Sequence, residues 1–230
     1  MAKGKKDKTL GNETEHSDEY KLYLREGIQV ALTLISKAYF DLYPACCEIE
    51  KCSSKDELFS KYRAALSIAW TFIDNYRLVL NMLGRLPEEN RNDILLKELK
   101  LQAYPLIAAR NYHYHYEAAN KFDSFGQGPA FGNLSWKSPD SENECVIAVP
   151  CFTSRATESM SLVFDRENNI FTSKVALSIH DNVVDFVLLF DLLEKYISSI
   201  SNRREGIFVN TEIFCFRFCC EKNRATLKEV

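Results

Sequence analysis

The run RNYHYH, from Arg110 to His115, gathers an arginine, an amide and two of the chain's four histidines inside the longer stretch PLIAARNYHYHYEAANKF. Arg110 is always charged, and its planar fork matches the oxygens of a phosphate. His115 belongs to the residue type that exchanges a proton near neutral pH. Asn111 lies four residues before His115, on the same face of a helix, where it can hold the imidazole or a substrate oxygen. Arg110 and His115 are separated by about 140° around an ideal helix, so long side chains at that offset can reach round one cleft. A cation that holds an anion beside a group that moves protons is a minimal kit for cutting a phosphodiester. The substrate's own ribose 2′-hydroxyl attacks, and the protein positions it and stabilises the crowded phosphorane. Such a reaction needs no metal.

The elements that must position these residues are mostly helical. Ile28, Ala31, Leu32, Ile35, Tyr39 and Leu42 form an apolar stripe between about Tyr20 and Tyr43, and Pro44 is expected to end that helix. Ser54 and Glu57 make a capping box ahead of a long second helix. Its stripe is Leu58, Tyr62, Leu66, Ala69, Ile73, Tyr76, Leu80 and Leu83, and Gly84 is its C-cap. A further helical region breaks near Pro105, which suits the first turn of a fresh helix carrying the RNYHYH run. Gly, Pro, Ser and Asn then accumulate, which predicts a loop over 126–143. β-Branched and aromatic runs predict a strand-rich insert over 144–180, with DRENN as a hairpin turn. The run VVDFVLLFDLLEKYI predicts a final helix over 181–203, entered at His180 with Asp181 or Asn182 as cap.

The expected fold is therefore mainly α: one helical domain over 19–203, with a core over 19–125 and a small antiparallel hairpin or sheet inserted before the last helix. A polar, lysine-containing arm over 1–18 precedes it, and a tail over 204–230 has no readable period.

Composition limits the function classes. The 230 residues carry a net charge of -3, so any nucleic acid must be met by a local patch rather than by global attraction. The polar start and the absence of a long apolar run predict a cytoplasmic protein with no membrane partner. The eight cysteines, at 46, 47, 52, 145, 151, 215, 219 and 220, contain no C-x-x-C pair and read as free thiols in a reducing compartment. His113 and His115, two apart, have strand rather than helical ligand spacing. No metal or other cofactor is expected.

Arg110-Asn111-Tyr112-His113-Tyr114-His115 resembles the R-x4-6-H motif of the HEPN superfamily, in the form with Asn directly after Arg. The resemblance covers the region from about Tyr20 to Phe122. It implies an antiparallel helical bundle acting as a homodimer, and a metal-independent endoribonuclease for single-stranded RNA. It also implies a place in a toxin–antitoxin or antiviral defence system, with an antitoxin or defence partner. On this resemblance Arg110 contacts the scissile phosphate, His115 is the general acid or base, and Asn111 orients them. Tyr112, His113 and Tyr116 would line the substrate path, where aromatic rings can stack unpaired bases. Glu117 stands where a modifiable tyrosine is often found in this superfamily, so tyrosine modification by a partner is not implied.

A second reading uses the same residues without catalysis. Tyr112, Tyr114 and Tyr116 alternate two apart and cannot share one helix face, which suits a protein–protein contact. Arg110 then pairs with a carboxylate such as Glu117 or Asp74, and His115 is a satisfied core histidine.

Overall fold

The computed structural model describes residues 18–86, 94–115, 131–140, 144–148, 162, 164–165, 167–168, 170–171, 173–179 and 182–203. Among them the chain is mainly helical, with a four-stranded antiparallel sheet and a separate two-stranded one. The helices are α1 (Asp18–Glu50), α2 (Lys55–Leu83), α3 (Ile94–Gln102), α4 (Tyr104–His115) and α5 (Phe186–Arg203). The strands are β1 (Asn133–Lys137), β2 (Cys145–Ala148), β3 (Phe164–Asp165), β4 (Ile170–Phe171), β5 (Val175–Ile179) and β6 (Asn182–Asp185).

α1 and α2 form a long antiparallel hairpin. An ion pair from Lys61 to Glu48 at 3.2 Å stands near the turn, and Gly27 lies against Met82 toward the far end. α1 does not stop at Pro44. Its buried face continues from Leu42 to Cys46 and Ile49 at helical steps. Pro44 itself is exposed, so the carbonyl that loses its N–H partner can turn to water. Burial of the next turn outweighs the local proline preference.

α2 begins as its capping box requires, with the Glu57 amide donating to Ser54 Oγ at 3.2 Å. Its expected stripe is buried from Tyr62 to Leu83, but Leu58 at the entrance is exposed. Gly84 closes the helix in ordinary right-handed conformation, its amide donating to Leu80 O.

The sheet has the order β2-β1-β5-β6, all neighbours antiparallel, and β3 pairs with β4 as a separate hairpin. The Glu167–Asn168 turn of that hairpin falls where DRENN predicted one. Two expectations need correction. β1 lies inside the stretch expected to be loop, because Leu134 and Trp136 alternate onto the helical core with no exposed surface. The last helix starts at Phe186 rather than near Asp181, since Asn182–Asp185 pairs with β5 as an edge strand. Asp185 is the true cap: the Val187 and Leu188 amides both donate to its Oδ1 at 3.0 Å, and Ser173 Oγ donates to its other oxygen.

α5 closes the core against the first two helices. Tyr76 Oη donates to Leu189 O at 3.0 Å, and Phe190 stacks on Tyr39 with centroids 4.0 Å apart. The arm, the tail, His180 and Cys151, Cys215, Cys219 and Cys220 lie outside the described residues. No helix among the described residues is long and apolar enough to cross a membrane.

Candidate functional site

α4 begins one residue after α3. Ala103 separates them, and Pro105 sits in the first turn, where its missing N–H is not needed. Leu106 and Ala109, three apart, are fully buried and fix the inward face of α4. Arg110, Asn111 and His113 are then presented toward α2.

α2 meets them with Trp70, Asp74 and Arg77, spaced by four and three residues along one stripe. Arg110 Nε donates to Asp74 Oδ1 at 2.7 Å, in an ion pair whose side chains are 25% and 38% exposed. Arg77 Nη1 donates to Asn111 Oδ1 at 3.1 Å. Since arginine can only donate, this contact also fixes which end of the Asn111 amide faces it. The His113 ring lies between Trp70 and Phe131, with centroids 4.4 and 4.5 Å away.

The seam is tied to the sheet by the residues that lead into β1. Trp70 Nε1 donates to Phe131 O at 3.2 Å, and Tyr62 Oη donates to Gly132 O at 3.1 Å. Gly132 has φ of 84°, and an added Cβ would stand 2.6 Å from Ser178 O. That oxygen belongs to backbone of the neighbouring strand and cannot step aside cheaply. Gly132→Ala is therefore expected to cost about 2–3 kcal/mol from left-handed strain and crowding together. Urea unfolding checks it; a loss below about 0.5 kcal/mol would contradict this turn geometry.

The predicted site residues thus separate. Arg110 and Asn111 come together on one seam, each held by an α2 side chain. His113, expected beside the substrate, is packed between two rings and joins α2, α4 and the entry to β1. His115 is the last residue of α4, one turn beyond Asn111 along the backbone; its side chain and that of Tyr112 lie outside the described residues, as does Tyr116. Asp74 was legible as a partner for Arg110. Arg77 and Trp70 were not, and only their spacing on α2 could have pointed to them.

Cys46, Cys47, Cys52 and Cys145 are free thiols. Burial pushes the Cys46 thiol far up and the Cys145 thiol to about 11, so both stay protonated at neutral pH. Among the described residues no three His, Cys, Asp or Glu side chains cluster as metal ligands. No protein-family model matches the chain, and no curated protein or solved structure matches it.

Proposed function

We propose that this protein is a metal-independent endoribonuclease of HEPN type, cutting single-stranded RNA as a toxin or in antiviral defence, and working as a homodimer. The observation that carries the reading is the seam itself. Two guanidiniums, Arg110 and Arg77, face one carboxylate and one amide on adjoining helices, so these four described side chains together carry one net positive charge. Such a surface can accept a phosphate.

In the proposed reaction Arg110 holds the scissile phosphate and His115 moves a proton. The ribose 2′-hydroxyl gives up its proton and bonds to phosphorus. The bond to the 5′ oxygen breaks, and that oxygen takes a proton. A 2′,3′-cyclic phosphate and a 5′-hydroxyl result. Asp74 keeps the Arg110 guanidinium in place, and Asn111 stands one turn before the proton-transfer group.

The second reading, a non-catalytic interaction or RNA-binding module, is favoured by one observation: Arg110 already has a carboxylate partner at 2.7 Å. Purified protein incubated with single-stranded RNA and chelator separates the two. The nuclease cuts, and neither Arg110→Ala nor His115→Ala protein does. Equal cutting by either variant clears the motif of catalytic duty, and no cutting by the unaltered chain leaves the interaction module.

A further inference from the structure

We infer that Arg77 is a second phosphate-binding residue of this site, holding the RNA backbone beside the phosphate that Arg110 engages. The inference rests on the ribonuclease or RNA-binding reading above.

The two guanidiniums of the seam are held in different ways. Arg110 is matched by a carboxylate, Asp74. Arg77 lies one turn further along α2 and touches a neutral amide, Asn111 Oδ1. Among the described residues Arg77 forms no ion pair. An amide can orient a guanidinium without neutralising it, so among the described side chains of the seam the charge without a carboxylate partner is that of Arg77. Its partner Asn111 is exposed and directly follows Arg110, which puts the held fork on the accessible rim of the same site. An approaching polyanion therefore meets Arg77 without displacing a carboxylate, whereas at Arg110 it must share the guanidinium with Asp74. Arg77 is a binding residue here and takes no proton.

The experiment uses the full chain carrying His115→Ala, so that RNA stays intact, and a fluorescent single-stranded oligouridine titrated over a range of NaCl. For single strands each neutralised phosphate contributes about 0.7 to the slope of log affinity against log salt. Arg77→Gln keeps an amide donor for Asn111 but removes the charge. It is expected to weaken binding about five- to tenfold at low salt and to reduce the slope by about 0.7. Arg77→Lys keeps the slope and loses part of the affinity, because a lysine cannot hold the fork geometry. Asn111→Ala also keeps the slope, since it frees the guanidinium without discharging it. A purely structural arginine would behave differently: Arg77→Gln would lower the melting temperature and leave the slope unchanged. RNA binding with the slope unaltered in Arg77→Gln overturns this inference alone. No RNA binding by the parent protein overturns it together with the reading it rests on.

Discussion

On the proposed ribonuclease reading, Arg110→Ala and His115→Ala are each expected to lower the rate of single-stranded RNA cleavage by about two to four orders of magnitude, the range for losing a general acid–base group or a preorganised charge donor. Loss of folded protein cannot account for such a drop. The Arg110–Asp74 pair is partly open to water at both ends, and pairs of that kind contribute about 0–1 kcal/mol. Most Arg110→Ala protein therefore stays folded, as its far-ultraviolet dichroism and urea midpoint would report. Asp74→Ala separates positioning from charge. It leaves both arginines and raises local positive charge, so on the same reading RNA affinity is expected to hold or rise while kcat falls about tenfold as the guanidinium loses its anchor. If Arg110 serves only to join α2 and α4, the Asp74 and Arg110 variants show the same small stability loss and RNA processing does not change. That outcome would clear Arg110 of catalytic duty.

How much of this was readable without coordinates depended on where the deciding partner lies. α2 was legible because its signals are local: Ser54 caps its own helix through Glu57, and the buried positions recur within single turns. Pro44 misled because its effect is local whereas the burial that carries α1 past it, at Cys46 and Ile49, is tertiary. In VVDFVLLFDLLEKYI a continuous apolar run does not distinguish a buried strand from a buried helix by period. The change at Phe186 is set by Asp185, which both pairs with Ala176 of β5 as the last residue of β6 and caps α5. The RNYHYH run was visible because its members are neighbours in sequence. The α2 half of the site was not. Trp70, Asp74 and Arg77 stand outside the apolar stripe of that helix, and nothing local joins them until α4 is laid against it. His113 likewise gave no sign that Phe131, beyond a long intervening segment, would cover its ring.

Trp136→Ala has the largest expected effect on stability. Trp136 has no exposed surface and lies on the central strand β1, opposite Val146 on β2 and Val175 on β5. Its ring is in the same apolar cluster as the helices, so truncation opens a cavity where the sheet meets the bundle. Removing a buried tryptophan costs about 3–5 kcal/mol, a large part of the roughly 5–15 kcal/mol that holds a typical domain together. Its Nε1 also donates to Glu50 Oε1 at the end of α1. Glu50 is exposed, so its carboxylate regains water when that donor goes, and this part of the loss stays near 1–2 kcal/mol. Trp136→Phe isolates it, because the phenyl ring keeps most of the packing. The effect extends to the site. β1 begins directly after Phe131 and Gly132, whose carbonyls accept from Trp70 and Tyr62. Loosening β1 frees the ring that covers His113, so amide exchange in α4 should quicken in Trp136→Ala before global unfolding. A stability loss under 1 kcal/mol, or α4 protection unaltered, would mean that the sheet and the helical seam fold independently and that the turn at Gly132 does not hold them together.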